Sequence, residues 1–208
     1  MTTIYLIRHS KPQDIDYNNN DSFQIQNEKQ HLSKEGIELA LNKLNIQELK
    51  NIDALYSSNY TRTIETAKYI SLFNNNIDIN INNNLGERKF GINSWNELPN
   101  DFYKKQFIDE NYKINNGESR KEVKNRMYNT IIDIINKNKD RKIAIVSHAT
   151  AITFLLKKWC NIEIDNNKLK CSFNNNVFYY GSIDYCEIFK LIFDNNKLIN
   201  IENKNTKK

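Results

Sequence analysis

Along most of its length this chain alternates short apolar runs with longer segments in which apolar residues recur every three to four positions. An alternating or unbroken short apolar run indicates a β-strand, whereas the longer period indicates a helix with one buried face. We expect strands at residues 3–8, 53–57, 77–81, 142–147, 182–193 and 197–201, and helices at residues 33–49, 59–73, 119–138 and 149–159. Strands that alternate with helices predict an α/β fold, a three-layer α/β/α sandwich with a mostly parallel central sheet.

For two of these elements the sequence predicts further details. Ser33 can cap the N-terminus of its helix with its hydroxyl group. The apolar residues of that helix that we expect to face the core are Ile37, Ala40, Leu41 and Leu44. The alternating pattern of residues 77–81 is typical of a strand at the edge of a sheet.

The length and composition indicate one domain. A chain of 208 residues, 39% of them hydrophobic, can bury a single sizeable core, and no linker rich in Pro, Gly or Ser interrupts it. We therefore expect one domain over residues 1–208. No apolar run approaches the ~20 residues that a transmembrane helix needs, which argues against a membrane role. The N-terminal residues have the pattern of a first strand rather than of a leader peptide, so we expect a cytoplasmic protein.

The charge and the cysteine content limit the classes of partner and of bound group that we expect. The formal net charge is +5, but the lysines are scattered among Asn and Glu, which argues against a nucleic-acid partner. The charge would suit a small anionic substrate, although charge alone favours an ordinary solvated surface. Cys160, Cys171 and Cys186 form no CxxC pair, so we expect free thiols rather than disulfides or a zinc site. Nothing in the sequence indicates an oligomeric state.

Three of the expected strands end in polar residues of the same kind. These residues are Arg8 and His9 after the first strand, Ser57 and Ser58 with Arg62 one turn further on, and Ser147 with His148. In an open α/β sheet, ligands bind beyond the carboxyl ends of the strands, so we expect these groups to share one pocket. Two guanidinium groups and a helix N-terminus suit a phosphate dianion. A lone histidine beside a strand is more often structural than catalytic, and we interpret His31 as structural.

The order of the motifs resembles the histidine phosphatase superfamily, the phosphoglycerate-mutase-like enzymes, over nearly the whole chain. The matching segments are Ile4-Tyr5-Leu6-Ile7-Arg8-His9, Leu32-Ser33-Lys34-Glu35-Gly36 with Ala40, Leu55-Tyr56-Ser57-Ser58 with Arg62-Thr63 and Thr66-Ala67, Leu85-Gly86-Glu87 with Phe90-Gly91 and Trp95, Gly117-Glu118-Ser119 with Arg126, and Val146-Ser147-His148. An Arg-His pair alone is a weak signal, whereas six segments in order are a strong one. The resemblance implies a phosphoglycerate-mutase-like fold.

The resemblance also implies a role for each matched residue. His9 would attack phosphorus and become a phosphohistidine, while Arg8, Arg62 and His148 would hold the transferring group. Glu87 would protonate the leaving alkoxide and later take a proton from water. An unperturbed histidine has a pKa of ~6.5 and is mostly neutral at pH 7, as attack requires. Because arginines supply the positive charge, no metal and no cofactor is expected.

The chain departs from the family pattern beside the first histidine. The family commonly has Gly, then Thr or Ser, then Asn at positions that here hold Ser10, Pro12 and Ile15. We expect Ser10 or Gln13 to replace the phosphate contacts that those residues make. Residues 88–118 are expected to form a lid over the site.

These features lead to the expectation of a metal-independent phosphatase that hydrolyses a small phosphorylated substrate through a phosphohistidine. The alternatives are a phosphoglycerate mutase and a catalytically silent module that binds phosphorylated ligands. The span from Glu87 to His148 is short for the large closing lid that favours a mutase.

Overall fold

The computed structural model describes residues 1–14 and 21–205, in which nine strands and six α-helices follow one another. The strands are β1 (Thr2–Arg8), β2 (Ala54–Ser57), β3 (Ile79–Ile81), β4 (Lys142–Ser147), β5 (Asn161–Asp165), β6 (Lys168–Phe173), β7 (Asn176–Gly181), β8 (Ile188–Asp194) and β9 (Lys197–Asn203). The helices are α1 (Phe23–Lys29), α2 (Lys34–Leu44), α3 (Thr61–Leu72), α4 (Phe102–Ile108), α5 (Arg120–Lys137) and α6 (Ala149–Leu156). No helix in these two ranges has both the length and the apolar character needed to cross a membrane.

The central sheet has the strand order β3-β2-β4-β1-β8-β9. The first four strands of that order run parallel to one another, while β8 and β9 add two antiparallel neighbours at one side. β3 lies at the edge, as its alternating sequence predicts. The expected α/β class with a mostly parallel sheet is confirmed.

Both faces of the sheet are covered, which explains why β1 and β4 have unbroken apolar sequences. Ile4 and Leu6 of β1 pack in one core cluster with residues of α5 and α6. The alternate residues Tyr5 and Ile7 pack in a second cluster with residues of α2 and α3. Side chains of a strand point to opposite faces in turn, so one strand supplies both layers of core.

Helix α2 begins where Ser33 predicts it, with the Ser33 hydroxyl group accepting the Gly36 N–H at 3.0 Å. The expectation that Ile37 and Leu41 face the core is wrong, because these side chains are 37% and 39% exposed. The expectation is confirmed for Ala40 and Leu44, which are buried together with Gly36 at a spacing of four residues. On this face Gly36 lies directly against the Lys11 backbone beyond β1. The helix ends at Leu44 rather than Leu49, and a 3₁₀ turn, Gln47–Leu49, follows it.

The second half of the chain holds a small antiparallel sheet that the sequence pattern does not reveal. Its strands β5, β6 and β7 are joined by turns in which Asn166, Asn167, Asn174 and Asn175 have positive φ. Asn tolerates this conformation better than other residues with a Cβ. The strand expected at 182–193 begins only at Ile188, and α6 ends at Leu156 instead of Trp159. Helices α1 and α4 were not expected.

Gly36 allows a test of the packing that holds the chain beyond β1. A Cβ at this position would lie 1.9 Å from the Lys11 carbonyl oxygen, so Gly36→Ala must displace backbone. We expect a loss of about 2 kcal/mol in the free energy of unfolding and a fall of roughly 4–8 °C in melting temperature. Gly181→Ala is the control, because the nearest atom is the Tyr179 hydroxyl oxygen at 3.3 Å, the end of a side chain. Equal melting temperatures for the two variants would contradict the prediction.

Candidate active site

The carboxyl ends of β1, β2 and β4 bring the expected polar residues together. Parallel pairing places Arg8 beside Ser147, and Ser57 beside Val146, so His9 and His148 leave adjacent strands at the same edge of the sheet. The two imidazole rings lie 5.1 Å apart between centroids. Both side chains are buried, at 5% and 0% exposure. The structure thus brings the expected polar residues together at one edge of the sheet, and their use as one binding pocket stays a prediction.

The hydrogen bonds of His9 define which of its nitrogens is free to react. Nδ1 lies 2.7 Å from the Ser10 carbonyl oxygen, an acceptor, so Nδ1 carries the proton and donates. Nε2 then has a lone pair, and the Arg62 Nε–H donates to it at 3.2 Å. The unprotonated Nε2 atom therefore faces the guanidinium group.

Arg62 lies between the two histidines. Its Nη2 atom donates to His148 Nδ1 at 3.3 Å, in addition to the bond from Nε to His9. Nη1 donates to the Asn27 carbonyl oxygen in α1, and the guanidinium lies 4.7 Å from the centre of the Tyr60 ring. Arg62 is only 4% exposed, so this is a buried cation in a fixed position. Burial lowers the pKa of Arg62 below its ordinary value.

A chain of hydroxyl groups defines the tautomer of His148. Since Nδ1 accepts from Arg62, Nε2 is protonated and donates to the Ser58 Oγ atom at 2.9 Å. Ser58 Oγ lies 2.6 Å from Thr63 Oγ1, which in turn donates to the Tyr60 carbonyl oxygen at 2.7 Å. Ser58 Oγ also accepts the Tyr60 N–H at 3.3 Å, so its own proton goes to Thr63 Oγ1. His148 is therefore held with the lone pair of Nδ1 toward Arg62.

Both histidines are held in the neutral form. Burial, followed by the positive charges of Arg62 and Arg8, lowers the pKa of His9 well below its ordinary value of 6.5. Burial and Arg62 also lower the pKa of His148 well below that value, with a further contribution from His9. A proton on either ring would place a second positive charge beside a buried guanidinium.

Arg8 approaches the same pocket from the end of β1. Its Nη1 atom donates to the Ile183 carbonyl oxygen at 2.6 Å, and its guanidinium lies 4.0 Å from the centre of the Tyr185 ring. The Nε atom is buried and has no hydrogen-bond partner. The Tyr185 ring also lies 6.0 Å from the His9 ring. Tyr185 was not expected at the site, because it lies in a segment that was interpreted as a strand.

Ser10 lies next to His9, but its hydroxyl group already has a partner. Ser10 Oγ donates to the Gly36 carbonyl oxygen at 2.6 Å, and its backbone N–H donates to Thr66 Oγ1. A phosphate contact from Ser10 Oγ would replace the bond to Gly36, and this contact stays a prediction. Pro12 pairs with Leu32 in an isolated bridge. Ile15, the other departure from the family pattern, lies outside the described residues.

Glu87 lies at the N-terminus of α6, the helix that follows His148. Its Oε1 atom accepts the N–H groups of Arg88 and Ala151 at 2.8 and 3.0 Å. Its Oε2 atom accepts the Thr150 N–H at 3.3 Å. A helix N-terminus favours a negative charge, so the location suits this carboxylate. The same helix end thus positions Glu87 and His148.

Arg126 of α5 holds the segment that carries Glu87. Its five N–H groups all have acceptors: the carboxylate of Glu118 takes two of them, and the carbonyl oxygens of Asn84, Gly86 and Glu87 take the others. Burial raises the pKa of Glu118, but the bonds from Arg126 prevail and leave it lowered. The family resemblance singles out Glu118 and Arg126 in the sequence, but it does not indicate which groups they contact.

The segment over 88–118 packs through aromatic rings. The Phe90 and Trp95 rings lie 5.1 Å apart, and the Trp95 ring contacts Phe23 of α1 at 4.7 Å. Arg88, which is 3% exposed, lies 4.3 Å from the centre of the Phe90 ring. These contacts connect the segment to α1, which also contacts Arg62. Its action as a lid stays a prediction.

His31 lies apart from the two buried histidines. Its imidazole is exposed and contacts the Glu65 carboxylate at 2.7 Å. In the described ranges, no three His, Cys, Asp or Glu side chains cluster as the ligands of a metal ion would. The three cysteines are free and buried, and burial raises the pKa of Cys186 to about 11.

Solved structures share this fold across almost the whole chain. A phosphoserine phosphatase from Entamoeba histolytica, in complex with phosphoserine, matches with a TM-score of 0.66 at 19% identity and covers 97% of both chains. A mycobacterial glucosyl-3-phosphoglycerate phosphatase matches with a TM-score of 0.69 at 14% identity, again over 97% of both chains. A phosphoglycerate mutase from Bacillus anthracis matches with a TM-score of 0.66 at 19% identity, over 95% of this chain and 90% of its own. At such identities the likeness shows the fold.

Comparison of the sequence with family models assigns the chain to a family. A comparison with curated proteins gave no match. The family model described as histidine phosphatase superfamily (branch 1) matches residues 4–181, which is more than four fifths of the chain. The chain therefore belongs to branch 1 of the histidine phosphatase superfamily.

Proposed function

We propose that this protein is a phosphatase that hydrolyses a small phosphomonoester without a metal ion, through a phosphohistidine at His9. The observation that carries the proposal is the unprotonated Nε2 atom of a buried, neutral His9 held against the Arg62 guanidinium. An unprotonated imidazole nitrogen beside a fixed cation is the arrangement that phosphoryl transfer needs, and the hydrogen bond from Arg62 to Nε2 must break as phosphorus approaches.

In the first step, His9 Nε2 attacks phosphorus and the bond from phosphorus to the alcohol oxygen breaks. Glu87 gives its proton to the departing oxygen, so a neutral alcohol leaves. In the second step, Glu87 takes a proton from water as the water oxygen attacks phosphorus, and the bond to His9 breaks. Phosphate leaves, and both residues return to their starting states.

Arg8, Arg62 and His148 hold the transferring group in this scheme. His148 contributes a donor only after Nδ1 takes up a proton, because its one N–H is bonded to Ser58 Oγ. The charge on the three outer oxygens of the phosphoryl group needs donors that are already in position. Two guanidinium groups supply them at this site, and each carries a full positive charge at neutral pH. For this reason the proposed chemistry uses no metal and no cofactor.

The carboxylate oxygens of Glu87 differ in their surroundings. Oε1 accepts two N–H groups at 2.8 and 3.0 Å, whereas Oε2 accepts one at 3.3 Å. The less strongly bonded oxygen is the better place for a proton. Oε2 is therefore the atom proposed to donate to the leaving group.

A phosphoglycerate mutase is the alternative, since one such enzyme shares the fold. A mutase must keep water away from its phosphohistidine while the substrate turns around or exchanges. The only cover proposed for this site is the segment over 88–118, which contains one helix of 7 residues, α4. Such a short cover favours hydrolysis.

The first prediction concerns the nucleophile. His9→Ala should abolish phosphatase activity, because the proposed covalent intermediate forms on His9, and the wild type should trap an acid-labile, base-stable phosphoenzyme from labelled substrate. His31→Ala, which changes an exposed histidine outside the site, is the matched control and should keep wild-type turnover. Phosphatase activity in His9→Ala would contradict the assignment of His9 as the nucleophile. Faster interconversion of 3- and 2-phosphoglycerate than release of phosphate would favour the mutase.

The second prediction concerns the acid. Glu87→Gln should slow hydrolysis of an alkyl phosphate by on the order of 100-fold, because an alkoxide leaves poorly without a proton. Hydrolysis of p-nitrophenyl phosphate, whose phenolate leaves unaided, should slow far less. Glu38→Gln, at an exposed position on α2, is the control for a lost carboxylate. Equal slowing of both substrates by Glu87→Gln would show that Glu87 only shapes the site.

The third prediction follows from the neutral histidines. Their pKa values are lower in the folded chain than in the unfolded chain, so below pH 6.5 the unfolded chain binds protons that the folded chain excludes. Stability therefore falls as the pH falls below about 6.5, by ~1.4 kcal/mol per pH unit for each such histidine. In His9→Asn, chemical denaturation between pH 6.5 and 5 should show a slope smaller by about that amount. An unchanged slope would mean that His9 is protonated in the folded chain.

A further inference from the structure

A groove of about 680 Å³ opens beside the proposed catalytic residues and has no part in the steps described above. One wall is α4, another is the first two turns of α6, and the hairpin of β5 and β6 closes the far side. A volume of this size is in the range of small-molecule sites, which is ~300–1,000 Å³. The groove can therefore hold a group much larger than phosphate.

The groove begins where the leaving group must depart. Thr150, which lines it, donates its N–H to Glu87 Oε2, the oxygen proposed to carry the proton. Ile183, on the same wall, accepts a hydrogen bond from Arg8 through its carbonyl oxygen. A phosphoryl group held by Arg8 and protonated on its ester oxygen by Glu87 would thus direct its alcohol portion into this groove.

The lining is mainly apolar. Its large apolar and aromatic side chains include Tyr103, Phe107, Ile108, Phe154, Ile164 and Leu169. Tyr103, Ile108 and Ile164 are 55%, 71% and 53% exposed, which is unusual for side chains of this size that face one another across a groove. The intramolecular packing of the chain does not require these exposed surfaces to be apolar.

Several polar groups of the lining are already bonded within the protein. Gln106 accepts from Arg88 and donates to the carbonyl oxygens of Tyr112 and Glu118, and the Thr153 hydroxyl group donates to the Ala149 carbonyl oxygen. Arg88 is 3% exposed beneath the rings of Phe90 and Phe102. Gln106 and Thr153 therefore cannot readily turn to the hydroxyl groups of a sugar. The cationic exceptions in the lining are Lys104, which is exposed, and Arg88, whose buried Nε atom has no hydrogen-bond partner.

From this placement we propose that the groove binds the alcohol portion of the substrate and that the substrate is a phosphomonoester of an apolar alcohol, aryl or medium-chain alkyl. This inference rests on the proposed phosphatase function, and it names the substrate class of that site. It separates this chain from relatives with polar substrates, such as the Entamoeba histolytica enzyme solved in complex with phosphoserine.

The test is a series of alkyl phosphates. Ethyl, butyl and hexyl alcohols have nearly equal acidity, so differences in kcat/KM report contact with the groove rather than leaving-group chemistry. We expect kcat/KM to rise about threefold per methylene, so hexyl phosphate, with four more methylenes, should exceed ethyl phosphate by roughly 80-fold. Phosphoserine and 3-phosphoglycerate should be hydrolysed no faster than ethyl phosphate. A flat series, or a preference for either polar substrate, would overturn the proposal.

Variants locate the effect in the groove. Ile164→Asp should lower kcat/KM for hexyl phosphate about tenfold and leave the value for ethyl phosphate within twofold. Leu72→Asp is the matched control, because Leu72 is 56% exposed and does not line the groove. Equal effects of Ile164→Asp on both substrates would also overturn the proposal. Hydrolysis of all substrates at rates that do not depend on chain length would contradict only the proposed substrate class. If neither hydrolysis nor a phosphoenzyme is detected, the proposed phosphatase function is contradicted as well.

Discussion

The site depends on a buried cation shared by two neutral histidines. Arg62 donates to His9 Nε2 and to His148 Nδ1, which is possible only while both nitrogens are unprotonated. That requirement fixes the tautomer of each ring, and the Ser10 carbonyl oxygen and Ser58 hydroxyl group complete the two arrangements. One guanidinium group therefore orients the proposed nucleophile, keeps it neutral and supplies positive charge where a phosphoryl group would bind.

The fold keeps this arrangement rigid by placing each member on the end of a regular element. His9 follows β1 and His148 follows β4, two paired parallel strands, while Arg62 lies in the first turn of α3. The residues just beyond β1 are held in turn by α2, whose Gly36 accepts the Ser10 hydroxyl group and leaves room for the Lys11 backbone. Glu87 has a different kind of support: a loop fixed by three hydrogen bonds from Arg126 to its carbonyl oxygens and by the N-terminus of α6.

Much of this could be predicted from the sequence because it follows from short-range pattern and from motif order. The unbroken apolar sequences of β1 and β4 indicate strands covered on both faces, and the polar residues that follow them indicate a pocket at one edge. Tertiary contacts decide the features that the pattern misses. Ile37 and Leu41 have the spacing of core residues, yet they lie on the exposed side of α2, whose Gly36 packs against the Lys11 backbone beyond β1. Tyr185 contacts Arg8 through a loop whose apolar residues resemble a strand, and no local signal in the sequence indicates its partner.

The arrangement of the two arginines lowers the stability of the fold for electrostatic reasons. This loss bears on the kind of ligand proposed for the site. The hydrogen bonds of Arg8 and Arg62 go to carbonyl oxygens, a glutamine side chain and neutral imidazoles. In the described part of the chain neither arginine forms an ion pair with a carboxylate, and Glu87 acts on Arg62 only through a longer-range Coulombic attraction. A buried charge without an opposite charge lowers stability, and Arg8 Nε also lacks a hydrogen-bond partner. A carboxylate beside Arg62 would relieve that cost, but it would also repel a phosphate dianion and raise the pKa of His9. Because an arriving anion would offset that cost at two cations beside a neutral nucleophile, the arrangement supports the proposed phosphate site.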